Sequence, residues 1–157
     1  MSQFNAVLLA IELATRQRDA ARKVLAQVNR NLAFAEGQMA QLESYAAETD
    51  ARWTGAAPGT LSAELIHHHY QFMERLQQAI RMQNGVIEST QLQIERASKS
   101  LMQTESRLAG LNQVYEARLA AAALTERRRE QLRTDEFAAL TYRRNRPQAM
   151  RGEHHGH

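Results

Sequence analysis

Ile80-Arg81-Met82-Gln83-Asn84-Gly85-Val86-Ile87-Glu88-Ser89-Thr90-Gln91-Leu92-Gln93-Ile94 holds the reading that decides the fold. Ile80, Ile87 and Ile94 stand seven apart. The series extends backwards through Met73 to Ile66 and forwards through Leu101, Leu108, Tyr115 and Ala122. Three residues after each runs a companion row: His69, Leu76, Gln83, Thr90, Ala97, Thr104, Leu111 and Arg118. Steps alternating between three and four make a seam of period 3.5, which winds α-helices around one another with a left-handed supercoil. Half of the companion row is polar, which costs stability but fixes register.

Upstream the same period recurs. Val7, Ala14, Ala21, Val28, Ala35 and Leu42 are seven apart, and four residues after each lie Ile11, Arg18, Leu25, Leu32, Met39 and Ala46, with Trp53 continuing the row. Arg18 is the one break, and its stem can lie along the seam while the guanidinium reaches water. Between the two runs stands Thr54-Gly55-Ala56-Ala57-Pro58-Gly59-Thr60, where Gly permits unusual backbone angles and Pro cannot continue a helix. Ser62 then suits the N-cap of a second helix.

The predicted architecture is all-α: a two-helix antiparallel coiled-coil hairpin forming one domain over 1–143. Helix 1 covers about residues 3–53, the turn 54–61 and helix 2 about 62–142, with a disordered basic, His-containing tail at 144–157. At 1.5 Å per residue the helices reach ~75 Å and ~120 Å. Folding back at the turn should bring Trp53 near Ile66 and leave the last part of helix 2 without a partner helix.

Composition supports this and excludes much else. Ala, Gln, Glu, Arg and Leu dominate, with four Phe, four Tyr and one Trp, too few large side chains for a layered globular core. Cysteine is absent, so neither a disulfide framework nor a thiolate zinc site is possible. No stretch is apolar enough to span a membrane. Ala6–Ile11 lacks the preceding basic region of a signal peptide and is followed at once by Glu12, so a cytosolic location without direct membrane insertion is expected.

Charge is uneven. From Arg127 to Arg151 eight arginines face Glu130, Asp135 and Glu136, a local charge of +5 in a chain whose total is +3. Such an excess at one end can act on an acidic partner. Arg clusters also neutralise nucleic-acid phosphates, but here the acids are interleaved and stacking aromatics are few, so no nucleic-acid partner is expected.

His67-His68-His69 is not a metal site, because helical neighbours diverge by about 100° and ligands need a spacing of three or four. Glu153-His154-His155-Gly156-His157 reads as a chain end. No nucleophile elbow, phosphate-cradling loop or paired-His motif appears, so no catalytic residue, cofactor or metal is expected and the chain is not an enzyme. A second apolar row, Leu65, Phe72, Ala79 and Val86, flanks the main seam. It is either core packing or a contact surface near the turn.

Glu126-Arg127-Arg128-Arg129-Glu130-Gln131, followed by Asp135-Glu136-Phe137-Ala138, resembles the C-terminal signature of the FliJ family of flagellar export proteins. Leu9 and Leu13 with Arg18-Asp19-Ala20-Ala21 fit the same family, as do Gln38, Gln41-Leu42-Glu43 and Tyr45, and Phe72, Arg75-Leu76 and Ala79-Ile80. Leu132 departs from the pattern, where a basic residue is more usual. The resemblance spans about residues 5–140.

It implies a component of the bacterial flagellar type III export apparatus, similar to the coiled-coil γ stalk of rotary ATP synthases. The partners it implies are the hexameric export ATPase FliI, the export gate protein FlhA and export chaperones, at the inner-membrane face of the flagellar base. On this resemblance Arg127, Arg128, Arg129, Glu130, Gln131, Asp135 and Glu136 form the ATPase-binding element, and Phe72, Leu76 and Ala79 the gate-binding element. The stalk proteins of virulence type III secretion systems share the architecture. A basic coiled-coil scaffold is the remaining alternative.

Overall fold

A computed structural model describes residues 2–56, 59 and 62–154. The chain forms two α-helices packed as an all-α hairpin, α1 (Ser2–Thr54) and α2 (Ala63–His154). Ala57, Pro58 and Thr60, central to the expected turn, lie outside the described residues. Around them the turn chemistry is visible. The Gly55 N–H donates to the Ala51 carbonyl at 3.0 Å, and Gly59 has φ +97°, a left-handed angle that disfavours any side chain. Ser62 caps α2: its Oγ accepts from the Leu65 N–H at 3.2 Å and its carbonyl from the Ile66 N–H at 3.0 Å.

The contacts divide the chain into two compact units, Glu12–Leu108 and Met1–Ile11 with Ala109–His157. In the first, the pairings themselves prove an antiparallel arrangement. The Tyr45 ring meets Phe72, the Gln83 amide reaches the Ala35 carbonyl, and Arg22 faces Glu105, so numbers fall along α1 as they rise along α2. The seam positions are the covered ones. Ala14, Val28, Ala35 and Met39 of α1, and Leu76, Ala97 and Leu108 of α2, are buried, with the other apolar members from Leu25 to Leu101 half-buried except Ile66. A heptad seam puts one stripe of each helix against the other, and everything else stays wet.

This seam is thin and partly polar. Thr90 is buried, its hydroxyl returning to the Val86 carbonyl at 2.8 Å, and Thr104 likewise bonds Leu101. Gln83 is the exception that crosses between helices: Nε2 donates to the Ala35 carbonyl at 2.9 Å and to Gln38 Oε1 at 3.2 Å. A half-covered amide satisfied in one register only resists sliding. Arg18 lies along the seam as its pattern suggests, turning its guanidinium to Asp19 at 3.0 Å.

Near the turn Trp53 stacks flat on His69, centroids 3.9 Å apart and planes 2° from parallel, one helical turn along α2 from Ile66. Ile66 is 50% exposed because it lies in the first turn of α2, before the seam closes at His69.

In the second unit Val7 is buried, and Phe4 meets Tyr115 edge-to-face at 6.3 Å. Arg118 donates to the Gln3 carbonyl at 3.5 Å. α1 then ends at Ser2, so the α2 rows lose their partner: Arg118, Ala122 and every other described side chain from 116 to 145 are exposed. α2 continues to His154, past the expected end at Tyr142 and into the segment expected as a tail at 144–157.

Candidate partner-binding surfaces

Two surfaces follow from where α1 covers α2 and where it does not. The first lies close to the turn. Phe72 follows Leu65 by seven residues, which places both one position off the seam. Phe72 is 37% exposed, its ring edge-on to Tyr45 at 5.7 Å and 82°. Leu65 and Val86, in the same row, are exposed, and Ala79 is half-buried. The row is therefore a surface flank rather than core. The three residues assigned to the gate do not share one environment: Leu76, at 7% exposure, is a seam residue, and Phe72 alone offers a large accessible face. Beside it a groove is lined by Gln38, Gln41, Leu42, Tyr45 and Gln83.

Sequence reading missed Tyr45 as part of this surface. The signal was available, because pairing the helices back from the turn puts position 45 opposite position 72. It also missed the Trp53–His69 stack, since Trp53 was aligned to Ile66 one seam step too early.

The second surface is the uncovered stretch of α2. Arg127, Arg128, Arg129, Glu130, Gln131, Asp135 and Glu136 are all exposed. Opposite charges here never stand four apart: Glu126 faces Glu130, Arg129 faces Arg133, and Arg128 faces Leu132. Opposite charges do stand three apart, as Glu126 and Arg129, Arg127 and Glu130, or Arg133 and Glu136 do, a spacing that also allows pairing. Among the described residues none of these side chains forms an ion pair. Arg128, Gln131, Leu132 and Asp135 line one shallow groove, and Phe137, Leu140, Thr141, Arg143 and Arg144 another. Leu132, where the family pattern favours a base, is 61% exposed and adds apolar surface between charges. Thr134 and Thr141 bond back to the Glu130 and Phe137 carbonyls, leaving the helix face to the charged and apolar side chains.

Both surfaces present charged and apolar side chains suited to recognition. The His67 and His68 rings lie 6.4 Å apart and tilted by 52°, and His69 is occupied with Trp53. Among the described residues no group of three or more His, Cys, Asp or Glu can hold a metal ion, and no helix is long and apolar enough to cross a membrane.

Comparison with known proteins agrees with this geometry. The family model for the flagellar FliJ protein matches residues 3–147. The flagellar FliJ protein of Salmonella typhi is 26% identical over 138 residues, which cover 88% of this chain and 94% of that protein.

Proposed function

The chain belongs to the flagellar FliJ protein family, and we propose that it acts as a non-enzymatic coupling element of the export apparatus, with one surface for the export ATPase FliI and one for the gate protein FlhA. The observation that carries this reading is the stretch of α2 beyond Arg118. It is helical, carries the arginine cluster, and its described side chains up to residue 145 are exposed. A solvated helix of that kind gains order and affinity by entering a surface of complementary charge.

The ATPase element is Arg127–Arg129 with Glu130, Gln131, Asp135 and Glu136. The gate element is Phe72 with the neighbouring Leu76 and Ala79, Phe72 supplying the accessible aromatic and Leu76 holding the α2 backbone beneath it. A single helix is asymmetric, so it cannot meet six ATPase subunits equally. Unequal contacts favour different nucleotide states in different subunits, which is coupling by differential affinity. The gate surface passes on that state, or the presence of the ATPase, to a protein at the inner membrane, and the same exposed helices serve export chaperones during their cycling.

Stimulation of the export ATPase by the chain tests the first half. Arg127→Glu combined with Arg128→Glu should abolish stimulation with helicity intact, because exposed charges move stability by less than about 0.5 kcal/mol. An unaltered response would reduce this segment to a solvated helix end. For the gate, Phe72→Ala should weaken binding to the cytoplasmic domain by about tenfold or more, as loss of an aromatic anchor does. Normal gate binding by that variant would remove the assignment.

A further inference from the structure

α1 carries a second heptad row that meets α2 and the first surface only at its turn-side end, through Gln38, Gln41 and Tyr45. Starting at Ala6 and stepping alternately by four and three through Ala10, Leu13 and onward to Tyr45, every position is uncharged: Ala, Leu, Val, Phe, Tyr, Gln or Asn. The charges of α1 within that span, from Glu12 to Glu43, all fall on other positions. A freely solvated helix face has no reason to exclude charge for so long, whereas a face that another helix covers does.

The structure shows this row uncovered within Glu12–Leu108. Leu13, Val24, Phe34 and Tyr45 are its large members, all exposed, with Phe34 at 69%. They recur about every three helical turns, separated by smaller or amide side chains that leave recesses between them. Three of its amides are already engaged: Gln27 donates to Asn31 at 2.9 Å and accepts from Arg30 at 2.8 Å, and Gln38 accepts from Gln83 at 3.2 Å. Covering these bonded oxygens does not orphan them. Toward the turn the row runs onto Tyr45, whose ring abuts Phe72, so α2 contributes a second wall there.

Charge selects the occupant. Arg16, Lys23 and Arg30 each immediately precede a position of the row, so a basic line seven residues in period borders its outer edge. Their present partners are weak or absent: Arg16 pairs with exposed Glu12, Arg30 bonds a neutral amide, and Lys23 has no partner among the described residues. A second copy laid antiparallel on this row would set basic line against basic line, which is unfavourable. A helix with acids along the matching edge would satisfy it.

We propose that α1, between Leu13 and Tyr45, is the docking face for a third helix supplied by a partner protein. That helix has an uncharged 3.5-residue seam bordered every seven residues by Asp or Glu, and it packs on the hairpin as a three-stranded coil. The surface is distinct from the ATPase element and extends from the gate surface along α1, so it does not depend on either assignment.

The test uses the full-length chain and two fluorescent helical peptides of about four heptads each. Both have Leu and Ala in the seam; one carries Glu along the flanking edge and the other Lys. The Glu peptide should bind, and the Lys peptide should bind at least about tenfold more weakly. Phe34→Glu, at a residue that supports nothing in the fold, should lower affinity for the Glu peptide by about tenfold or more, as for a central anchor. Lys23→Glu should narrow the preference for the Glu peptide, because the basic line of Arg16, Lys23 and Arg30 falls from +3 to +1.

Equal affinity for the two peptides, no binding of either, or full binding by Phe34→Glu would each overturn the proposal. So would sedimentation showing a dimer of the chain that Phe34→Glu dissolves, because the face would then belong to a second copy.

Discussion

Replacing Phe72 by Ala measures how far a flank residue supports this hairpin. About six-tenths of the residue's surface is covered, so the side chain gains roughly 1–1.5 kcal/mol of a full phenylalanine burial term. The edge-to-face contact with Tyr45 adds about 0.5–1 kcal/mol. Truncation opens onto solvent and leaves no enclosed void, so no cavity term is added. The expected loss is about 2 kcal/mol, or roughly 5 °C in melting midpoint for a chain of this size. Leu76→Ala, within the seam, should cost more, about 3 kcal/mol including the void it leaves. Urea titration followed by circular dichroism gives both values, and a cycle with Tyr45→Ala isolates the ring pair. The cycle should return about 0.5–1 kcal/mol of coupling. A Phe72→Ala loss equal to that of Leu76→Ala, or a coupling indistinguishable from zero, would refute the placement of Phe72 on the flank.

Three further outcomes follow from the same contacts. Gln83→Ala should cost about 1 kcal/mol by deleting the bond to the Ala35 carbonyl, whereas Gln83→Leu should be neutral or stabilising but permit alternative registers, which spin-label distances between α1 and α2 would detect as a second population. Arg22→Ala should change stability by less than about 0.5 kcal/mol at any salt concentration, because its partner Glu105 is 3.7 Å away and both side chains are half exposed; a larger, salt-sensitive loss would show a stronger ion pair. Ending the chain after Ala123 should leave the urea midpoint of the remaining hairpin unchanged, since described side chains from 116 to 145 are exposed, and a lowered midpoint would reveal packing by the removed helix.

The hairpin was legible in the sequence because its cause is periodic. The seam rows read from Val7 to Trp53 and from Met73 to Tyr115 are the ones the structure covers, and Ser62 caps α2 as its position suggests. What escaped the reading depends on how the rows meet. Ile66 fits the spacing but precedes the first rung, because the turn residues determine where pairing begins. Arg118 and Ala122 fit it as well, but α1 ends before it can cover them. Leu76 and Phe72 fall on different rows in the sequence, seam and flank; how much of the flank stays open depends on the azimuth at which α1 sits, which spacing does not give. The arginine cluster was visible as composition, while its lack of ion pairs among the described residues required the coordinates.

The turn also sets the order in which the molecule assembles. Closing a loop costs entropy that rises with the logarithm of its length, and contacts between distant residues form slowly. The Gln83–Ala35 bond joins residues 48 apart, and the Arg118–Gln3 bond residues 115 apart. Pairs nearest Gly59 are closest in sequence, and each rung formed shortens the loop left to close for the next. Folding should therefore run as a zipper from the turn, with hydrogen-exchange protection arising first around Trp53 and His69 and last around Phe4 and Tyr115. A chain emerging from the ribosome must make all of α1 and the turn before its first rung can form, so α1 spends that time as a lone helix with both of its rows open.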